Sequence, residues 1–163
     1  MAGPVKLTWV FDPVSGTWSD TGFQMKEADL WFGYTSDKKY AYVAGGTHNL
    51  RSHKPTDVVE RFNPSSGWKK LPSLPEARLA PGMGLLGSSL AVFGGSDPSG
   101  ANMTSTLSCQ TPCSAWSDAQ RDLNTARSFF GFGYDAKTGT LFAAGGSTGA
   151  PHFKAIRSSE KTT

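Results

Sequence analysis

Three glycine pairs, Gly45-Gly46, Gly94-Gly95 and Gly145-Gly146, punctuate the chain at intervals of 49 and 51 residues, and each closes an apolar run: YAYVAGG, SLAVFGG and TLFAAGG. Tryptophans keep the same interval, with Trp18, Trp68 and Trp116 falling 50 and 48 residues apart. Two of them follow matching turns, Phe11-Asp12-Pro13-Val14-Ser15-Gly16-Thr17 and Phe62-Asn63-Pro64-Ser65-Ser66-Gly67. Arg78 stands 16 residues before its glycine pair, and Arg127 stands 18 before its own. Several independent markers on one period of about 50 mean a repeat architecture, in which each unit buries its apolar face against its neighbours.

Each marker has a physical reason. A glycine pair lets a strand end in backbone conformations closed to other residues, with neighbouring backbone close by. Asp-Pro or Asn-Pro followed by glycine three residues later is hairpin-turn chemistry. Tryptophan buries a large apolar area between packed sheets. Segments 39–43 and 56–62 alternate β-branched or aromatic residues with polar ones, as strands do. The longest stretch that could read as a helix, residues 114–127, has few apolar anchors and a weak 3.6 period. An all-β domain is therefore expected, and an ordinary α/β enzyme is not.

Together these residues resemble the Kelch motif over about residues 6–156, best in the order and spacing VFGG…VVERFNPSSGWKKLPSLPEAR. The resemblance implies Kelch-type β-propeller blades, each a four-stranded antiparallel sheet with strands A to D running outwards from a central channel. It covers about three blade equivalents, an incomplete ring. The expected division is 1–21 for strands C and D of a split blade, 28–71 and 79–119 for full blades, and 128–157 for strands A, B and a third. Strand A is expected over 30–35, 79–86 and 129–134, strand B over 40–44, 89–93 and 141–144. Strand C is expected over 6–11, 57–62, 103–109 and 153–157, strand D over 17–20, 68–71 and 115–118. The first unit departs from the pattern with Glu27 where the arginine is expected. The third replaces the aromatic-Asp-Pro turn with Ser108-Cys109-Gln110-Thr111-Pro112.

Propellers typically close with about four to eight blades, and an open arc would expose the flat faces of its end blades. Either more chain or another copy must cover them. An orphan C–D pair at one end and an orphan A–B pair at the other would let a twofold homodimer complete a six-bladed ring.

Strand topology places the A-to-B and C-to-D turns at one end of the blades and the longer B-to-C and D-to-A connections at the other. Such long loops on a rigid rim are where scaffolds bind. His48, Asn49, Arg51, His53 and Lys54 form the most basic loop, suited to an acidic peptide or a carboxylate, and Asp97 lies in the next one. Arg78 and Arg127 could face a ligand, but the resemblance favours a structural role in which guanidinium donors satisfy loop carbonyls. Trp31, Phe32, Phe129, Phe130 and Phe132 read as core. The leading expectation is a protein-interaction module binding a protein partner through this rim. The alternatives are a structural subunit docking through its open end blades, and a carbohydrate-binding or mutarotase-like propeller.

No enzyme activity is expected. A copper radical oxidase of the galactose-oxidase type needs paired Tyr and His ligands and a Tyr–Cys cross-link that these residues do not supply, and no nucleophile elbow or phosphate loop occurs. No metal or other cofactor is expected, because only His48, His53 and His152 could join the two cysteines. The net charge of +3 comes from dispersed basic residues, unlike a nucleic-acid footprint. No run approaches the ~18 apolar residues of a membrane span, and the N-terminus lacks a secretory signal. Cys109 and Cys113 read first as reduced thiols in the cytoplasm. Bridged around residues 110–112, and with the sequon Asn102-Met103-Thr104 glycosylated, they would suit a secreted or organellar-lumen protein.

Overall fold

In a computed structural model, which describes residues 5–27, 29–149 and 154–162, the chain is all-β, and its strands form four antiparallel sheets with no helix among the described residues. The first sheet is a ribbon of β1 (Leu7–Asp12) and β2 (Thr17–Gln24). The second runs in chain order through β3 (Gly33–Ser36), β4 (Ala41–Ala44), β5 (Val59–Asn63) and β6 (Gly67–Lys70). The third repeats that order with β7 (Gly82–Leu86), β8 (Ser89–Phe93), β9 (Thr106–Gln110) and β10 (Ser117–Asp118). The fourth holds β11 (Gly131–Asp135), β12 (Thr140–Ala144) and β13 (Ser159–Thr162), and no sheet closes into a barrel.

The turns follow local chemistry. Asp12, Asn63 and Asp135 each accept a hydrogen bond from the backbone N–H two residues on, at 2.9 Å. The glycines that end these turns, Gly16, Gly67 and Gly139, have φ of 68°, 73° and 69°. The β11–β12 turn thus repeats the geometry without the proline that marked the other two.

The first strand of sheets two, three and four starts later than its sequence pattern predicts, for one repeated reason. Leu30, Leu79 and Ser128 each form an isolated bridge, to Thr47, Ser96 and Ser147. The next residue, Trp31, Ala80 or Phe129, takes a left-handed φ of 55°, 49° or 53°, and that kink separates the bridge from β3, β7 or β11. The kinked residues also join the sheets: Ala80 N–H donates to the Trp31 carbonyl at 3.0 Å and Phe129 N–H to the Ala80 carbonyl at 3.4 Å. The last strand also differs. Segment 153–157 is not β13; Ala155 makes only an isolated bridge to Ser147, the ladder with β12 begins at Ser159, and Phe153 lies outside the described residues.

Sheets two and three enclose Tyr42, Ala44, Val59, Leu74, Met83, Leu90 and Val92. Ala91 and Phe93 on the opposite face of β8 pack with Phe130, Leu141 and Ala143 of sheet four. Strand β8 is therefore apolar from Leu90 to Phe93, where both faces are covered. The repeat tryptophans behave unequally. Trp68 donates its indole N–H to Thr8 Oγ1 at 2.7 Å and Trp116 donates to the Pro72 carbonyl at 2.8 Å, so each ties its sheet to the preceding one. Trp18 is 65% exposed, contrary to its expected burial, and its ring packs only beside Phe11 of its own ribbon, with centroids 5.2 Å apart, among the described ring contacts.

The reading of Cys109 and Cys113 as reduced thiols does not hold: they are bonded to each other, with Cα atoms 5.3 Å apart. The bridge closes the turn that departs from the repeat pattern. Replacing both cysteines by alanine is expected to cost about 2 kcal/mol through the loop-closure entropy of a roughly five-residue ring. A urea midpoint unchanged by the double substitution would contradict this.

Candidate functional site on the loop rim

The long connections converge at one end of the sheets. There Trp31, Leu79 and Phe129, from the segments leading into β3, β7 and β11, meet the β4–β5 and β8–β9 loops around a cavity of about 670 Å³. His53, Lys54 and Pro55 line one side, and Asp97, Pro98 and Ser99 line the other. Trp31 and Phe129 are 40% and 46% exposed, with ring centroids 5.5 Å apart in an edge-to-face arrangement. Their expected place in the core is thus corrected. The kink before β3 and β11 turns these side chains out of the sheets, whereas Phe130, one residue on, is buried. A bulky residue at positive φ is strained, and such strain collects at binding sites. His53 is also left-handed, at φ 50°, and sets its ring 5.3 Å from that of Trp31.

The loops that carry these side chains are braced internally. Asn49 Oδ1 accepts the N–H of Arg51 at 2.8 Å and of Ser52 at 3.3 Å, and the Asn49 carbonyl accepts the N–H of His53 at 3.0 Å. Asn49 therefore shapes the loop. Asp97 plays the same part opposite, its Oδ1 accepting from Ser99 Oγ at 2.6 Å, Ser99 N at 2.8 Å and Ala101 N at 3.0 Å. The Ser99 hydroxyl, with the backbone N–H groups, holds the Asp97 carboxyl below its usual range, so it stays ionised at the cavity wall.

Among the residues singled out in the sequence, His53, Lys54 and Asp97 share this cavity. His48 and Asn49 line an adjoining one of about 400 Å³ that shares Ser52, Lys54 and Pro55. Arg51 is exposed and lines neither.

Arg78 and Arg127 are not on the rim surface. Both are buried, and their guanidinium groups hold the glycine-pair ends of the next strands. Arg78 Nη1 donates to the carbonyls of Gly94 at 2.9 Å and Ser105 at 2.8 Å, and Nη2 donates to Ser105 Oγ at 2.7 Å. Arg127 Nη1 donates to the carbonyls of Gly145 at 2.9 Å and Ser158 at 3.0 Å, and Nη2 pairs with Glu160. Burial lowers the pKa of Arg78, but guanidinium starts too high for that to remove its charge. The third equivalent is Asp29, not the expected Glu27, because Asp29 directly precedes the Leu30 bridge. Asn102 donates its side-chain amide to the Ser147 carbonyl, so the sequon nitrogen is engaged within the fold.

No protein family matches the chain, and no curated protein matches it in sequence. It shares its fold with a solved structure known as "Structure of YjhT": the TM-score is 0.78 at 18% identity, and the match spans 94% of this chain and 48% of that one. The chain is thus about half the length of that protein, and the likeness is one of fold. No helix among the described residues is long and apolar enough to cross a membrane.

Proposed function

We propose that these sheets are Kelch-type propeller blades and that the chain is a protein-interaction module which seats an acidic partner segment on its loop rim. The observation that carries this reading is the cavity of about 670 Å³ lined by Trp31 and Phe129 together with His53 and Lys54. Exposed aromatic rings supply contact area at low entropic cost, and Lys54, across the cavity from the ionised Asp97, is the cation that a carboxylate of the partner would pair with. The Cys109–Cys113 bridge supports an oxidising compartment for the protein.

A displayed library of random peptides tests the reading directly. Recovered binders are expected to be rich in Asp and Glu, and Trp31→Ala and Lys54→Glu are each expected to weaken them at least tenfold, about 1.4 kcal/mol. Binders without acidic residues, or unaffected by both substitutions, would overturn it.

One observation favours a second reading, a subunit that docks through its end sheets. Trp9, Val10 and Phe11 on β1 and Trp18 on β2 are all more than 40% exposed, an apolar surface of the kind that marks an interface. A twofold homodimer in which each chain's β1–β2 ribbon packs with the other's sheet four is one form of this docking, and a solution mass of a single chain would exclude it.

A further inference from the structure

Sheet two lacks the buried cation that holds sheets three and four. Asp29 occupies the position of Arg78 and Arg127, and it is buried at 5% exposure. Glu60, opposite Val43 in the ladder, is the counterpart of Glu160, opposite Ala143. Glu160 meets the Arg127 guanidinium. Glu60, fully buried, instead takes the backbone N–H groups of Lys26 at 2.9 Å and Glu27 at 2.8 Å. A second carboxylate thus stands where the other sheets have a positive charge.

The ionisable group closest to Asp29 belongs to the rim loop. His48 Nδ1 lies 2.7 Å from Asp29 Oδ1, and that oxygen receives no aligned hydrogen bond among the described residues. The contact is therefore electrostatic, and its strength depends on a proton. We infer that one proton shared between Asp29 and His48 latches the rim loop of residues 47–54 to the segment before β3, so that the ordering of this loop depends on pH.

With the proton present, either His48 is a cation against the Asp29 carboxylate or Asp29 is neutral. The first compensates one charge of the buried acid pair and the second removes it, so both lower the net negative charge there by one. Without it, Asp29 and Glu60 repel each other in a site shielded from water. The other groups that face this point relieve the repulsion only in part. Glu27, on the same segment as Asp29, adds negative charge, and Lys70 of β6, which offsets some of it, is paired with Glu27 at 2.6 Å. Lys6, ahead of β1, acts on Glu27. Burial pushes the Asp29 carboxyl up to about 6 from its ordinary 3.8, with His48 opposing the rise and Glu60 and Glu27 adding to it. A folded value above the unfolded one means that the stabilisation is complete below about 3.8 and is lost as pH rises through about 6. The latch holds in mild acid and loosens towards neutrality.

The inference stands whether or not the rim takes an acidic segment, because its readout is the loop itself. Hydrogen exchange of residues 47–54 at pH 5 and pH 7.5, corrected for intrinsic rates, is expected to lose about tenfold or more in protection at the higher pH. Asp29→Asn, which cannot titrate, is expected to flatten that difference. His48→Gln, at a side chain 47% exposed, is expected to do the same without disturbing the core, and it serves if Asp29→Asn fails to fold. Equal protection at both pH values in the parent protein, or a pH difference that persists in the His48 variant, would overturn the latch.

Discussion

Arg127→Leu is expected to destabilise the protein by about 3–5 kcal/mol, the cost of removing one member of a buried, hydrogen-bonded charge pair. The leucine would leave the carbonyls of Gly145 and Ser158 without the guanidinium they share, and Glu160, 10% exposed in its side chain, without its cation. Domains of this size hold about 5–15 kcal/mol in all, so the thermal midpoint should fall by roughly 10 °C. The loss should also depend on pH. Burial alone would raise the Glu160 carboxyl, but hydrogen bonds from Asn124 and Arg127 outweigh it and bring it below its ordinary 4.5. Its contribution is therefore present above about 4.5 and disappears as pH falls through the lower, folded value. Calorimetry of parent and variant at pH 7 and pH 3 checks both points. A variant melting within a few degrees of the parent at pH 7 would show that the arginine holds nothing together.

Gly45→Ala is expected to cost several kcal/mol, and Gly16→Ala only about 1 kcal/mol, although the two backbones have the same conformation. Gly45 has φ +67° and Gly16 has φ +68°, so the strain of a left-handed alanine is common to both. The difference lies in the surroundings. A Cβ on Gly45 would sit 2.5 Å from the Arg78 carbonyl oxygen, which is backbone and accepts the Gly46 N–H at 2.8 Å. A Cβ on Gly16 would meet nothing within 4 Å. Accommodating the first requires the segment before β7 to move away from the end of β4, which breaks that bond and opens the core between sheets two and three. Chemical denaturation of the two variants gives the comparison. Equal losses would mean that φ alone, not the close approach of the two segments, explains the glycine pair.

These two results bear on how far the amino-acid order could be read. The period of about 50 residues located the tight turns, β1–β2, β5–β6 and β11–β12 among them, though not the start of β13, because Asp/Asn turns and their glycines act within a few residues of chain and carry their reason with them. The same logic failed at the starts of β3, β7 and β11. Trp31, Ala80 and Phe129 are not residue types that favour a positive φ, yet all three are left-handed. Their conformation is imposed by the backbone bonds from Ala80 to Trp31 and from Phe129 to Ala80, which join residues 49 apart. Register was also misjudged where spacing varied: counting back from Gly45 selected Glu27, whereas the bridge from Leu30 to Thr47 selects Asp29.

The rim divides in the same way. That the long loops would gather at one end followed from antiparallel connectivity, and so did the grouping of His53, Lys54 and Asp97 near one another. That Trp31 and Phe129 would stand exposed among them did not follow, since an aromatic residue beside a strand is ordinarily core. The internal roles of Asn49 and Asp97 were equally hidden, because a loop's own hydrogen bonds depend on a path that composition does not specify.

By itself, then, the order of residues determined that this chain is all-β, repetitive and turned at the glycine-bearing hairpins, since those properties arise from local backbone sterics and short-range periodicity. Only the tertiary structure decided which arginines are buried, which aromatics face solvent, that the two cysteines are joined, and that an acid pair occupies the arginine position of sheet two. Those outcomes rest on contacts between units of the repeat, where burial and distance, rather than residue type, set the energy of each side chain.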